Sequence, residues 1–140
     1  MSPPCINFLY LIKMKKLKLE MIVERGEDNL TGHVTYNDNL IIESADNVNE
    51  LEEKLKLLLF KVENVEPKSV IFKHLYDVYA LFRQFDFLNI GKVAERAGIN
   101  AGLLRQYASQ VKHPSAKQAQ KIEDTIHKLA DDMSKALIYA

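Results

Sequence analysis

The first third of the chain alternates apolar and polar positions with the period of two that a β-strand requires. From Lys16 to Glu24 apolar side chains alternate with mostly charged ones, which predicts a half-buried strand. Leu30 to Tyr36 favours a second strand, and the apolar run from Leu40 to Ser44 a third. Polar turns rich in Asn, Asp or Gly precede both. We therefore predict a three-stranded meander.

A helix and a fourth strand are predicted next. Asn47, followed three residues later by Glu50, has the spacing of a capping box. The apolar residues at helical spacing after it are Val48, Leu51, Leu55, Leu58, Leu59 and Val62. Pro67 bars the helix from continuing, and Ser69 to Lys73 is rich in β-branched and aromatic residues. The order β-β-β-α-β is thus predicted for about 15–74, with the helix on one sheet face.

The stretch from Ile90 to Pro114 has the pattern of two short helices joined by a glycine turn. Apolar residues recur at i, i+3, i+4 and i+7 as Ile90, Val93, Ala94 and Ala97, and again as Leu104, Tyr107, Ala108 and Val111. Gly98 is expected to end the first helix with a left-handed backbone, and Asn100 to cap the second. Ile99 would fill the corner between them. This is the pattern of a helix-turn-helix, whose second helix lies in the DNA major groove.

Two further helices flank this pair. Asp77 is placed to cap a helix that carries Val78, Leu81, Phe82 and Phe85. After Pro114, Ser115 and Gln118 form a capping box for a long helix. Its apolar stripe is Ala119, Ile122, Ile126, Leu129, Met133 and Leu137. The second half is therefore predicted to be all-helical, and the fold class to be α+β.

Acidic and basic residues are unevenly distributed along the chain, although its formal net charge is zero. Between residues 20 and 66 there are twelve acidic and four basic side chains, a net of −8, whereas between 89 and 121 six basic residues face one acidic, a net of +5. A basic helix pair indicates a polyanion as partner. On the second helix Arg105 has the forked donors that read guanine, Gln106 has the donor and acceptor that read adenine, and Ala101 and Gly102 are small enough for close approach. Solvated helix faces alone are the simpler source of part of the acidity.

The N-terminal stretch carries no convincing export or membrane signal. CINFLYLI, from Cys5, is too short to span a bilayer and its lysines follow it instead of preceding it. Because Met14 opens the first strand pattern, we expect residues 1–13 to be a disordered tail or an upstream extension. Cys5 is the one cysteine, so a reducing cytoplasm fits.

Catalytic and metal-binding patterns are lacking in the sequence. The histidines are His33, His74, His113 and His127, and none has the spacing of a metal motif with another ligand. No phosphate-binding glycine loop or nucleophile elbow is present. We therefore expect no enzyme activity, cofactor or metal. A nuclease that uses Glu24, Asp28 and Asp38 for a divalent ion is the least favoured alternative.

The pattern GINAGLLRQYASQVKHPSAKQAQKIEDTI resembles the lambda-repressor-like (Xre) helix-turn-helix. The matching positions are Ala94, Gly98, Asn100, Pro114 and Ser115. The preceding strand MKKLKLEMIVERGEDN, the meander and the following helix resemble the N-terminal domain of HicB-type antitoxins, a partial RNase H-like fold. The resemblance divides the chain into a HicB-like domain at 14–75 and a helix-turn-helix domain at 76–140.

The resemblance implies an antitoxin of a type II toxin–antitoxin system that regulates its own operon. The sheet domain would neutralise a small HicA-like toxin that cleaves RNA, and the helix-turn-helix would bind operator DNA as a homodimer. Residues facing bases would be Ala101, Gly102, Arg105 and Gln106, and those near phosphates Lys92, Asn100 and Lys112. The alternative is a protein-interaction module whose helix-turn-helix is only structural.

Two positions depart from the resembled pattern. Gln110 replaces the glycine usual after the second helix, so that either the loop to Pro114 is longer or the helix runs on. Leu103 stands where a polar residue is common, which reduces the hydrogen bonding offered to the groove.

Overall fold

The structure is a computed structural model that describes residues 15–140. The tail predicted for residues 1–13 lies outside the described residues. Within 15–140 the predicted α+β class is confirmed, with one four-stranded mixed sheet and five helices. The chain divides into two compact units between Asp77 and Val78.

The first unit is built on a sheet with the strand order β3-β2-β1-β4. The strands are β1 (Leu17–Arg25), β2 (Leu30–Tyr36), β3 (Asn39–Ala45) and β4 (Val70–Tyr76). β2 pairs antiparallel with β1 and β3, whereas β4 pairs parallel with β1. Because a parallel neighbour cannot be reached through a hairpin, the chain crosses from β3 to β4 through helix α1 (Val48–Glu63) and a 3-10 turn (Pro67–Ser69).

Helix α1 covers one face of the sheet. The Asn47 side chain accepts a hydrogen bond from the Glu50 N–H at 2.9 Å, which starts the helix as predicted. The buried side chains between helix and sheet are Met21, Val23, Leu30, Val34, Ile41, Ala45, Val48, Leu51, Leu55, Leu59, Val70 and Phe72. The helix already ends at Asn64, whose φ is 56°, so a left-handed residue rather than Pro67 stops it. Val62, predicted on the buried stripe, is exposed.

The second unit consists of four helices. They are α2 (Val78–Gln84), α3 (Ile90–Ala97), α4 (Ala101–Ala108) and α5 (Ala116–Ser134). The core between them comprises Val93, Ala94, Ile99, Leu104, Tyr107 and Ile122, all buried. Ser115 caps α5 by accepting from the Gln118 N–H at 3.2 Å, as its capping box predicted.

Three apolar residues that the spacing placed on helical stripes lie outside the helices. Phe85 directly follows the end of α2 and is partly buried. Val111 follows the end of α4 and is 70% exposed, and Leu137 follows the end of α5 and is 93% exposed. The spacing continued past the point at which the backbone leaves the helical conformation, so these three predictions of helical residues were wrong. None of the helices in residues 15–140 combines the length and apolar character needed to cross a membrane.

Candidate nucleic-acid interface

The corner between α3 and α4 is defined by side-chain caps at both helix starts. The Asn89 carboxamide accepts from the Lys92 N–H at 3.0 Å, and the Asn100 carboxamide accepts from the Leu103 N–H at 3.1 Å. Gly98 ends α3 with a φ of 69°, a conformation in which a Cβ would be strained. The predicted helix end at Gly98 and the predicted cap at Asn100 are thus confirmed.

The inner side of the corner is closely packed, which fixes the two helices relative to each other. Ala94 and Leu104 are fully buried where α3 and α4 meet, and Ile99 fills the turn between them. Tyr107 is 7% exposed and belongs to this core, as its spacing predicted, so its ring is not placed to stack on a base. Leu103 is partly buried against the same core.

Of the four residues on α4 predicted to face bases, Ala101 packs against the helical core. Gly102 and Arg105 are exposed, whereas Ala101 and Gln106 are partly buried. A Cβ built on Gly102 would stand 3.1 Å from the Asn100 Oδ1, so a larger residue there would press on the cap. Glycine therefore preserves the cap and leaves the first turn of α4 accessible.

Arg105 connects the two helices on the outer side. Its Nη2 lies 3.5 Å from the position that a Cβ on Gly91 would occupy, so the guanidinium lies beside the first turn of α3. Lys92 is in the same turn, exposed, with its ammonium 3.7 Å from Glu95. An exposed ion pair of this kind is weak, and it leaves the lysine able to bind another anion.

The loop after α4 decides between the two outcomes expected from Gln110, a longer loop or a continued helix. The helix ends at Ala108 and Gln110 has a φ of 64°, in the left-handed region that favours glycine. The helix therefore does not run on, and Gln110 occupies a backbone conformation suited to the glycine of the resembled pattern. The Lys112 N–H donates to the Gln106 carbonyl at 3.2 Å, which fixes the loop beneath the exposed Lys112 side chain.

One positioning residue was missed from the sequence. Asn89 caps α3 and so orients the turn that carries Lys92, but it lacks a Glu or Gln three residues later. An Asn directly before an apolar-periodic run was the available signal.

Within residues 15–77, no helix packs on the face of the sheet opposite α1, and we call this the uncovered face. Since side chains alternate across a strand, the residues between the buried ones point to this face. Its exposed large apolar residues are Leu40, Ile42, Ile71 and Leu75. The strand register places Ile42, His33, Ile22 and Leu75 in one row across all four strands. Two carboxylates lie beside the row: that of Glu24 is 3.4 Å from Nε2 of His33, and that of Glu20 is 4.0 Å from the Lys73 ammonium.

Titratable residues on the α1 side form a small polar cluster at β4. His74 bonds to the Glu52 carboxylate, and its ring lies 6.0 Å from that of Tyr76. Burial raises the pKa of the Tyr76 hydroxyl, and the nearby Glu52 carboxylate raises it further. No group of three or more His, Cys, Asp or Glu residues in the described part of the chain could hold a metal ion, so Glu24, Asp28 and Asp38 are not gathered into one.

Comparison with known proteins adds no information about this site. No protein-family model, no curated protein and no solved structure matches the chain. The fold and the site define an α+β protein whose second unit contains a capped helix pair.

Proposed function

We propose that this protein is a DNA-binding transcriptional autoregulator resembling a HicB-type antitoxin. In this proposal the second unit is a lambda-repressor-like helix-turn-helix, and the first a partial RNase H-like domain of β-β-β-α-β order. The observation that carries it is the corner in which Asn100 caps α4 beside a buried core while Gly102 and Arg105 stay exposed.

The chemistry of the corner supports duplex DNA as the ligand. Arg105 presents a planar fork suited to the O6 and N7 of guanine, and Gln106 an amide suited to adenine. Ala101 and Gly102 permit close approach to base edges. Lys92 and Lys112 are exposed cations at the two ends of the pair, where they would bind phosphates together with the Asn100 turn.

The first unit supports a protein partner. Its uncovered sheet face combines exposed apolar side chains in and beside the row with the carboxylates of Glu20 and Glu24, and residues 20–66 carry a net charge of −8. A small basic toxin of the HicA-like class would bury the row and pair with the acids. The proposed assembly is a homodimer, since one helix reads only a half-site. Cytoplasmic location and the absence of catalysis, cofactor and metal belong to the same proposal.

The deciding experiment is fluorescence anisotropy of the purified protein on a duplex from its own upstream region and on a scrambled duplex, at several salt concentrations. The proposal expects tighter binding to the upstream duplex and a log–log salt slope of about −0.9 for each phosphate contact. Equal binding, or none, would contradict it. The second candidate, a protein-interaction module with a structural helix-turn-helix, would then be favoured by the uncovered sheet face.

A third candidate, an RNase H-like nuclease, requires turnover of RNA or DNA with magnesium or manganese. A folded protein that leaves both intact would contradict it.

A further inference from the structure

β3 is an edge strand of seven residues. Among residues 15–140 it pairs with β2 alone, and the register from Asn39 to Ala45 runs without a bulge. Proline, lysine or a bulge ordinarily protects an edge strand from other strands. β3 has none of these, whereas β4 at the other edge carries Lys73, and Leu40 and Ile42 are 59% and 51% exposed. The side of β3 away from β2, which we call the free side, is therefore open to a further strand.

The hairpin between β2 and β3 decides which backbone groups point to the free side. Its two loop residues, Asn37 and Asp38, have positive φ angles of 49° and 62°, which is the pattern of a type I′ turn. A two-residue turn of this kind closes on a hydrogen-bonded pair, here Tyr36 and Asn39. Bonded and non-bonded pairs then alternate along the two strands.

The N–H and C=O groups of Leu40, Ile42 and Ser44 consequently point to the free side. The Lys54 ammonium donates to the Ser44 carbonyl at 2.8 Å, which agrees with a carbonyl that β2 leaves unused. A carbonyl oxygen has two lone pairs, so Ser44 can still accept from another strand.

We infer that β3 of one copy of this chain pairs antiparallel with β3 of a second copy, so that two four-stranded sheets join into one of eight strands. A two-fold axis at Ile42 places this residue opposite its equivalent, Leu40 opposite Ser44, and Ile41 opposite Glu43. Every outward N–H and C=O group of the three residues is then paired. No like charges meet, and the two Ile42 side chains lie side by side.

Helix α1 carries a matching stripe on the β3 side. It packs on β3 and β2, at this edge of the sheet, and Lys54 marks the side of the helix that reaches Ser44. Glu50, Leu57 and Lys61 share that side by helical spacing, and all three are exposed. With strands about 4.8 Å apart, a helix over β3 and β2 lies about 10 Å from its equivalent across the axis, a spacing at which helices pack.

The two-fold axis brings these stripes together in antiparallel order. The Glu63 carboxylate accepts from the Asn39 side chain at 2.6 Å, so the end of α1 is level with the start of β3. The axis lies about 10 Å along β3 from Asn39, and about seven helical residues span that distance, which brings Leu57 near the axis. Glu50 of each copy therefore comes within reach of Lys61 of the other. Unlike charges in both places favour a second copy over an unrelated strand.

The inference names a surface for the homodimer of the proposed function and rests on it to that extent, but its test contains no DNA. A short edge and one helix stripe bury less than the roughly 1,600 Å² of a standard interface, so we expect a Kd in the micromolar range. Sedimentation velocity of the full chain is therefore measured across micromolar concentrations, and circular dichroism checks that each variant folds.

Two variants change the centre of the strand pair. Ile42→Lys places like charges opposite each other at the axis. Ile42→Pro removes an N–H that points away from β2, so the bonds to β2 remain. Ile71→Lys is the matched control, because Ile71 is 45% exposed on the same sheet face but belongs to β4 at the other edge.

Charge reversal tests the helix stripe. Glu50→Lys or Lys61→Glu alone puts like charges across the axis, twice by symmetry, whereas a mixture of the two single variants pairs unlike charges. Lys68→Glu, an exposed reversal beside β4, is the control.

The expected result is a native dimer whose Kd rises at least about 30-fold in both Ile42 variants and at least about 5-fold in each reversal. Both controls should leave it unchanged, and the mixed reversals should associate more tightly than either alone. Hydrogen exchange at the amides of residues 40, 42 and 44 should slow as the native protein is concentrated.

Four outcomes would overturn the inference. They are a native chain that stays monomeric, a dimer that tolerates both Ile42 variants, a dimer that Ile71→Lys weakens as much as Ile42→Lys, and mixed reversals that gain nothing. The third would mean that the sheets stack face to face. Protected amides at 40–44 in a monomer would mean that another part of the same chain occupies the edge.

The result can be separated from that of the DNA experiment. A dimer that depends on β3 but does not prefer the upstream duplex supports the inference and contradicts the proposed function. Specific DNA binding by a dimer insensitive to both Ile42 variants supports the proposed function and contradicts the inference.

Discussion

Arg105 and Gly91 lie side by side across the α3–α4 corner, with Arg105 Nη2 3.5 Å from where a Cβ on Gly91 would stand. The guanidinium is thereby placed between the exposed side of α4 and the first turn of α3. An arginine in that place can reach a base edge while the capped turn lies on the backbone.

Replacing Arg105 by alanine should weaken binding to the upstream duplex by about 1–3 kcal/mol and reduce the preference over a scrambled duplex. Arg105→Lys keeps the charge but not the fork, so it should lose preference while retaining most of the nonspecific affinity. Anisotropy on both duplexes measures each effect. Lys128→Ala, on α5 and paired with Asp132 at 2.9 Å, is the control and should change neither. If the Arg105→Ala protein keeps the native preference for the upstream duplex, Arg105 does not read the bases.

Removing Lys92 or Lys112 should weaken binding to both duplexes alike. Each lysine is exposed and expected to neutralise one phosphate, so each alanine variant should lower the magnitude of the salt slope by about 0.9. The measurement is the slope of log affinity against log salt concentration. An unchanged slope in both variants would place the bound DNA elsewhere.

Substitutions at Asn100 should separate stability from DNA binding. Asn100→Ala loses the cap on the Leu103 N–H and should cost about 1 kcal/mol of unfolding free energy. Asn100→Asp keeps a capping oxygen, and its negative charge suits a helix N-terminus, so thermal stability should be kept. The same charge would repel a nearby phosphate, and affinity for duplex DNA should fall. Native affinity in the Asp variant would mean that phosphates do not approach this turn.

Replacing Gln110 by glycine should relieve the conformational strain of its left-handed backbone. Gln110→Gly is expected to raise the unfolding free energy by about 0.5–1 kcal/mol, or the midpoint of thermal unfolding by roughly 2–6 °C. Ser109 is its neighbour with an ordinary φ of −92°, so Ser109→Gly should give no gain. Calorimetry of both variants tests the difference. Equal effects would show that the conformation at Gln110 carries no strain.

Alkaline stability should depend on Tyr76. Burial and then Glu52 raise its pKa on folding, so above the unfolded-state pKa of about 10 the folded state retains a proton that the unfolded state has lost. The stabilisation from this group is complete below about pH 10 and is lost as the pH rises from there through the folded-state pKa. Tyr76→Phe should therefore show a smaller loss of unfolding free energy over that range in urea titrations. Identical losses in both proteins would count against the shift.

Local signals in the sequence were sufficient for the helix starts and turns of the candidate site. Asn47, Asn100 and Ser115 cap their helices, and Gly98 ends α3, because each depends on backbone groups within a few residues. Asn89 carries the same local signal as Asn100, an asparagine directly before an apolar-periodic run, so its cap could have been predicted in the same way.

Longer-range features could not be predicted in the same way. The parallel pairing of β4 with β1 joins residues about fifty positions apart, and no local pattern encodes the register. Periodicity gave the apolar spacing of Val62, Val111 and Leu137 but not their exposure, which depends on where a helix ends and what it packs against.

The sequence by itself determined the α+β class, the glycine turn, the caps and the contrast between an acidic first half and a basic helix pair, since these follow from residue type and near neighbours. Only the tertiary structure decided that Arg105 lies beside Gly91, that Gln110 is left-handed, and that Leu40, Ile42, Ile71 and Leu75 are exposed on one face of the sheet. These features arise from packing between elements distant in sequence, where side-chain volume and helix ends, rather than local preference, set the geometry.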